Sequence, residues 1–263
     1  MSVRINTNIE ALNAQRNIGV TANSFAKSVE KLSSGLRINR ASDDAAGLGI
    51  SETLRSQVNG LNQAVRNAQD GISLIQTGEG ALNEVHAMLQ RIRELAVQYA
   101  NGTNDANAQT SITTEVAALQ STIADIGKNT KFNGIDLLTG AGGTAGTITL
   151  QVGADKGETQ AVVTTKLDTV LAVVTDIKSV DTAIAAVSTQ RAAFGAAQNA
   201  LEHTVASLGV ASENMSAAES RIRDLDVASE MVNFTKTQIL QQAGTAILAQ
   251  ANSAPQNILT LLR

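Results

Sequence analysis

One pattern constrains this chain more than any other: apolar residues recur at alternating steps of three and four over very long stretches. The clearest run is Val170, Val173, Ile177, Val180, Ile184, Val187, Arg191, Phe194, Gln198, Leu201, Val205, Leu208, Ser212, Met215, Glu219, Ile222. The step never slips, although Arg191, Gln198, Ser212 and Glu219 are polar. A sustained repeat of about 3.5 residues predicts a long helix with a left-handed coiled-coil seam. At 1.5 Å per residue such a helix is roughly 80 Å long. The repeat therefore points to an elongated rod rather than a ball.

A second run is Leu54, Val58, Leu61, Val65, Ala68, Ile72, Ile75, Gly78, Leu82, Val85, Leu89, Ile92, Leu95, Tyr99. It carries a three-residue step between Ile75 and Gly78, with Gly71 and Gly80 close by. Each glycine weakens a helix by up to about 1 kcal/mol relative to alanine, so a softened segment is expected there. A third run, Ile112, Val116, Leu119, Ile123, Ile126, is expected to stop at Gly127. The three helices are expected to bury their stripes against one another as a bundle. Between them the period changes. Ile148, Leu150 and Val152 alternate with Thr149 and Gln151, which is strand spacing. Residues 132–138 are a second candidate strand, and 139–146 (TGAGGTAG) join the two as a small hairpin.

Both ends are amphipathic. Ile18, Ala22, Phe25, Val29, Leu32 and Leu36 repeat by four and three, and Ile5, Ile9 and Leu12 do so one register away. Leu32 and Leu36 flank Gly35, which fits a left-handed helix end closed by an apolar contact. Val227, Met231 and Phe234 are followed by Leu240, Ala243, Ile247, Ala251, Ala254, Ile258, Leu261 and Leu262. The two terminal helices are expected to pair; alone, each exposes an apolar stripe to water.

Composition removes most other functions. The 263 residues include no Cys, no Trp, one Tyr, two His and one Pro, with a net charge of −4. Disulfides, thiolate metal sites and Cys nucleophiles are excluded. Few aromatics remain to line an enzyme pocket. The acidic balance disfavours nucleic acid, and no apolar run is long enough to span a bilayer. The start lacks a charged region followed by an apolar stretch, so no Sec-type signal is expected.

The sharper motifs dissolve on inspection. Asp43 and Asp44 suit helix capping before Ala45 better than acid–base chemistry, because no His or third carboxylate is near them in sequence. Gly47-Leu48-Gly49 and Gly78-Glu79-Gly80 begin a phosphate loop, but Glu52 and Asn83 occupy the third glycine position. Small residues for close helix packing are the better reading. His86 and His203 lack an H-E-x-x-H partner. Asn101-Gly-Thr, Asn214-Met-Ser and Asn233-Phe-Thr match the N-glycosylation acceptor at a frequency expected by chance in a chain this rich in Asn, Ser and Thr. No catalytic, cofactor-binding or metal residue emerges. The fold expected is mainly α: an elongated helical bundle with coiled-coil terminal helices and a small β-hairpin.

Residues 33–50 (SSGLRINRASDDAAGLGI) resemble the N-terminal signature of bacterial flagellin. Residues 69–98, 131–135 (KFNGI), 147–158 (TITLQVGADKGE) and 238–263 (QILQQAGTAILAQANSAPQNILTLLR) resemble later stretches of that family in the same order. The resemblance implies a structural subunit that polymerises into the flagellar filament for motility, secreted and extracellular. It implies an inner domain made of 1–43 and 223–263, lining a central channel. It implies a rod domain of 44–222 with a hairpin near 132–160. Only 159–168 separates that hairpin from the long C-terminal helix, which implies a minimal form without outer domains. Inner-core packing then falls to Ile5, Ile9, Leu12, Phe25, Val29, Leu32, Met231, Phe234, Leu240, Ile247, Leu261 and Leu262.

Arg91, Leu95 and Glu115 match family residues contacted by the Toll-like flagellin receptor, and Leu89, Gln90 and Gln98 lie in the same matching stretch. Subunit contact is the preferred native role for these six. Leu261, Leu262 and Arg263 match the end sensed by cytosolic inflammasome receptors, with packing in the inner tube as the plainer reading. The implied partners are copies of the chain itself, the flagellar export apparatus and its chaperone, the filament cap and hook-associated proteins. No cofactor, nucleic acid or membrane insertion is implied. A hook–filament junction protein is the alternative of the same class. A cytosolic coiled-coil adaptor would carry more charge than the 17% found here.

Overall fold

The structure is a computed structural model that describes residues 7–141, 143, 146–164 and 176–261, with side chains through 253. Ile5, Val170, Val173, Leu262 and Arg263 lie outside the described residues, as do the side chains of Ala254, Ile258 and Leu261. The described elements are five helices, α1 (Ile9–Ser34), α2 (Ala45–Tyr99), α3 (Ala106–Asn129), α4 (Ile177–Arg223) and α5 (Val227–Leu261), and four strands, β1 (Lys131–Phe132), β2 (Ile135–Asp136), β3 (Thr147–Gln151) and β4 (Thr159–Val163). They form two compact units. One is Met1–Arg55 with Met215–Arg263, and the other is Ser56–Asn214.

The core of the Ser56–Asn214 unit is the seam that the heptads predict. Its buried positions on α2 are 61, 64, 68, 71, 74, 75, 78, 82, 85, 89, 92 and 95. Leu82, Val85, Leu89 and Ile92 are almost wholly enclosed, as are Val187, Phe194 and Leu201 on α4. Burying each such side chain contributes about 1.5–3 kcal/mol. In the first half of the helix the seam runs one residue ahead of expectation. Ala64 and Gly71 are buried where the repeat predicts Val65 and Ile72, and those two are only half-buried. Small residues face inward there because the hairpin comes close. A Cβ built on Gly71 meets Leu150 Cδ1, and one on Gly60 meets Ala154 Cβ at 3.0 Å.

The glycines at 71–80, where the sequence predicts a softened segment, do not interrupt the helix. Helix α2 runs unbroken through Gly71, Gly78 and Gly80. Gly78 faces the Phe194 ring, whose Cε2 would lie 2.8 Å from a Cβ at that position. The lost side chain admits the ring, and that burial outweighs the helix-propensity penalty of about 1 kcal/mol. Gly80 and Gly49 face open space, so close packing explains Gly47 and Gly78 but not them. Gly127 does not end α3 either. It is buried inside the helix, which continues to Asn129 and is capped by the Thr130 N–H on the Ile126 carbonyl.

The hairpin differs from expectation in its partner strand. β1 closes on β2 through Asn133 (φ 48°) and Gly134 (φ 79°), a tight two-residue turn. Leu137 and Leu138 follow as wholly buried core residues. β3 pairs antiparallel with β4, from Thr147↔Val163 to Gln151↔Thr159. Short loops cost the least closure entropy, so each strand pairs with its near neighbour. Two side-chain amides then tie the β3–β4 hairpin to helices. Asn67 Nδ2 donates to the Gln151 carbonyl at 3.0 Å, and Gln190 Nε2 donates to the Val163 carbonyl at 2.8 Å.

Gly78→Ala and Gly80→Ala are expected to move stability in opposite directions. The first crowds the buried Phe194 ring, an overpacking cost of about 1–3 kcal/mol that exceeds the helix gain. The second only adds helix propensity, a gain of up to about 1 kcal/mol. Thermal melting of the two variants against the parent chain checks this.

Candidate functional site

The unit formed by the two chain ends carries the surface of interest. Helix α1 begins at Asn8, whose Oδ1 accepts the Ala11 N–H at 3.1 Å while its Nδ2 donates to the Ala251 carbonyl at 2.7 Å. It ends at Gly35 in the left-handed region (φ 71°), with the Gly35 N–H on the Lys31 carbonyl, as the sequence predicts. Helices α1 and α5 pair antiparallel. Asn8 reaches Ala251, Ile18 sits against Gly244, and Phe25 stacks on Phe234 at 5.0 Å between ring centroids.

The seam inside this pair follows heptad steps on both helices. On α1 the inward positions include Ala11, Ala14, Ile18, Phe25, Ser28 and Leu32; on α5 they include Phe234, Thr237, Gln241, Gly244, Leu248 and Ala251. Much of this seam is small or polar, with Ile18, Leu32 and Leu248 as its aliphatic members. Other large apolar side chains lie outside it. Ile9, Leu12, Val20 and Val29 on α1 are exposed, as are Val227, Met231, Val232, Ile239, Leu240 and Ile247 on α5. Ile247 is 60% exposed and Ile239 64%.

Phe25, Leu32 and Phe234 pack between the terminal helices, whereas Ile9, Leu12, Val29, Met231, Leu240 and Ile247 do not. The sequence shows that each helix is apolar, but not which of its faces meets the other. Steric fit decides that. Ile18 Cγ1 would lie 2.8 Å from a Cβ on Gly244, so this close crossing requires glycine. The α5 face that meets α1 is the one that carries Phe234, Gly244, Leu248 and Ala251.

The segment after α1 is held by specific bonds. An antiparallel bridge joins Leu36 to Asp224. The Arg37 N–H donates to the Arg223 carbonyl at 2.7 Å, and the Leu225 N–H donates to the Gly35 carbonyl at 3.0 Å. The Arg37 guanidinium donates to the Ile222 carbonyl, satisfying a free group at the end of α4. Asp44 Oδ1 accepts the Gly47 N–H at 2.8 Å and so caps α2. Asp43 Oδ2 accepts the N–H groups of Asn39 and Arg40. Backbone hydrogen bonds from Arg40 and then Asn39 hold the Asp43 carboxyl below the usual carboxylate range, with a further push from Lys27 and Lys31. Asp44 thus caps the helix as its sequence context predicts, whereas Asp43 holds the loop before it.

The six residues at 89–98 and 115 do not form one exposed patch. Leu89 and Leu95 are buried in the seam. Arg91 is exposed and bridges two carboxylates, Glu115 at 2.9 Å and Glu94 at 3.2 Å. The hydrogen bond to Glu115, then that to Glu94, raises its already high pKa. Gln90 is exposed, with Nε2 3.1 Å from His86 Nε2. Gln98 accepts the Asn101 N–H on its carbonyl at 3.1 Å. His86 is half-buried and His203 exposed. Among the described residues no group of three His, Asp or Glu could hold a metal ion. No described helix is long and apolar enough to cross a membrane.

Paired terminal helices that bury a small-residue seam and leave their large aliphatics outside define a helical subunit of a coiled-coil assembly. Comparison with known proteins makes the class specific. Residues 5–142 match the bacterial flagellin N-terminal helical region, and residues 177–262 match the bacterial flagellin C-terminal helical region. A flagellin of Halalkalibacterium halodurans is 53% identical, over 98% of this chain and 99% of its own length. A flagellin of Bacillus subtilis is 46% identical, over 99% of this chain and all of its own. The crystal structure of Bacillus cereus flagellin is 33% identical and superposes with a TM-score of 0.50, covering 59% of this chain and 94% of that one. The chain belongs to the bacterial flagellin family and is a structural subunit of the flagellar filament.

The depressed Asp43 pKa has a signed consequence. A carboxyl whose folded pKa lies below its unfolded value, about 3.9, stabilises the fold above that value and loses this as pH falls through the folded pKa. The Asn39 and Arg40 amide protons are therefore expected to lose exchange protection only in strong acid. In Asp43→Asn that acid transition should disappear from both amides, as read by nuclear magnetic resonance.

Proposed function

We propose that residues 1–43 and 223–263 form an inner domain that lines the central channel of the filament, and that 44–222 form a rod domain carrying the long helices and the hairpin. The observation that carries this reading is the exposed aliphatic face of the terminal pair: Ile9, Leu12, Val20 and Val29 with Val227, Val232, Ile239, Leu240 and Ile247. A water-facing array of that size is unfavourable in an isolated chain. Covering each side chain with a neighbouring copy contributes about 1.5–3 kcal/mol. That offsets the backbone ordering cost of the chain ends, about 1–2 kcal/mol per residue, only when several copies contribute together. Ordering of the ends is thus coupled to polymerisation.

The same chemistry suits export. With no Cys, no disulfide locks the fold, and the chain can pass unfolded through a narrow secretion channel. Its partners are then the flagellar export apparatus and a chaperone that covers the apolar ends. Outside the cell they are the filament cap and hook-associated proteins. The product is an extracellular filament, and the chain performs no catalysis.

Arg91 and Glu115 make a charged, exposed pair on the rod-domain surface, which suits contact with a neighbouring copy. The same pair supports recognition by the Toll-like flagellin receptor as a second role, with Gln90 alongside. Leu89 and Leu95 serve that role indirectly, by fixing the helix face that presents Arg91.

Ile247→Asp is expected to keep the helical signal of the soluble chain while lowering seeded polymer growth at least about tenfold, because a carboxylate cannot be buried unpaired between copies. Gln242→Glu, at an exposed polar position of the same helix, should polymerise like the parent. Equal growth of all three chains by light scattering removes the proposed surface. Separately, Arg91→Ala should weaken receptor activation while filaments still form; unchanged activation ends the second role.

A further inference from the structure

The chain contains three Asn–Gly pairs, at 59–60, 101–102 and 133–134. In an unfolded chain all three are chemically alike. Glycine offers no side chain to hinder attack by its own backbone nitrogen on the preceding asparagine. The fold places the three in different environments, and only one keeps the freedom the reaction needs.

We propose that Asn101 is a site of spontaneous deamidation, built into the turn between α2 and α3. The Gly102 backbone nitrogen gives up its proton to hydroxide and attacks Asn101 Cγ, forming a new N–Cγ bond. The Cγ–Nδ2 bond then breaks, and the amide nitrogen takes a proton from water and leaves as ammonia. The product is a five-membered succinimide. Water adds to either of its carbonyls and opens the ring to aspartate or isoaspartate. The net change is amide plus water to carboxylate plus ammonium, and no other reactant is needed.

The geometry favours this pair in three ways. Asn101 Oδ1 accepts the Thr103 N–H at 3.4 Å, so the side chain folds back across the Gly102 nitrogen. That bond also draws electron density from Cγ and makes it a better electrophile. Asn101, Gly102 and Thr103 are all exposed, and a Cβ on Gly102 would meet nothing within 4 Å, which sets the pair apart from Asn59–Gly60, though Asn133–Gly134 is equally open. Hydroxide and water therefore reach the site freely. The closing bond of the turn, from the Asn104 N–H to the Asn101 carbonyl, is long at 3.3 Å.

The other two pairs are held. Asn59 and Gly60 lie inside α2, where the Gly60 N–H belongs to the helix ladder and a Cβ on Gly60 would lie 3.0 Å from Ala154 Cβ. Ring closure there requires breaking the helix. Asn133 is fixed at φ 48° between β1 and β2, and the Lys131↔Asp136 and Phe132↔Ile135 pairs bracket its turn. Ring closure there requires opening that hairpin. At Asn101 it requires only a change in one exposed turn.

The consequence is a mark that accumulates with age. Each event adds a negative charge to a chain whose formal charge is −4. The isoaspartate product also inserts a methylene into the backbone four residues before Asp105, which caps α3 by accepting the Ala108 N–H at 2.7 Å. It removes the Asn101 acceptor motif for N-linked sugar as well.

The test is to hold the folded full-length chain at mildly alkaline pH and map its peptides by mass spectrometry over time. Asn101 should convert at least about tenfold faster than Asn59 and faster than Asn133, since only its reacting atoms approach without unfolding. Its rate should rise with hydroxide concentration. In concentrated urea the three rates should converge, because the constraints that separate them are gone. Gly102→Val should slow conversion at Asn101 and leave the circular dichroism unchanged. Conversion at Asn59 or Asn133 that equals or exceeds Asn101 in the folded chain overturns the proposal, as does an Asn101 that stays intact while the urea control reacts.

Discussion

A helix repeats its direction every three and a half residues or so, and an apolar stripe on it must be covered by something. In the Ser56–Asn214 unit the cover is internal. The stripes of α2 and α4 supply the enclosed side chains of Leu82, Val85, Leu89, Val187, Phe194 and Leu201. Everything else in that unit is placed by this seam. Helix α3 adds Ile112 and Ile123, the turn after β2 adds Leu137 and Leu138, and the β3–β4 hairpin adds Ile148 and Val162. Polar groups then fix position rather than supply the main stabilisation, as Asn67 and Gln190 do by holding the two ends of the hairpin.

In the unit made by the chain ends the same rule is left half-satisfied. Helices α1 and α5 meet through small and polar residues together with Ile18, Leu32, Leu248 and a stacked Phe25–Phe234 pair. The close approach at Gly244 tightens this seam, yet further aliphatic side chains of both helices, Ile239 and Ile247 among them, stay exposed. For a subunit of the flagellar filament this division has a physical logic. A pair that satisfied itself would have no reason to bind a neighbour, whereas one that keeps its larger side chains outside gains most of its burial from other copies.

Glycine serves three distinct purposes in the chain. Gly35 adopts the left-handed conformation that ends α1. Gly134 completes the tight turn between β1 and β2. Gly71, Gly78 and Gly244 keep ordinary helical backbones and act by what they lack, admitting Leu150, Phe194 and Ile18. Only the first two purposes leave a local trace in sequence. Glycine in a helical repeat reads as weakness, because propensity is local and the side chain that fills the space comes from far along the chain.

The sequence by itself determined the helices, their heptad period, the capping at Gly35 and Asp44 and the strand character of 147–151. These follow from neighbours within a few residues, where capping, turn chemistry and side-chain period act. Tertiary structure decided the rest: that β3 takes β4 as its partner, that Ala64 and Gly71 turn inward ahead of Val65 and Ile72, and which faces of α1 and α5 meet. Each of these is a choice between surfaces of similar local propensity. Such a choice is settled by shape and volume across residues far apart in the chain, and a one-dimensional period carries no information about that fit.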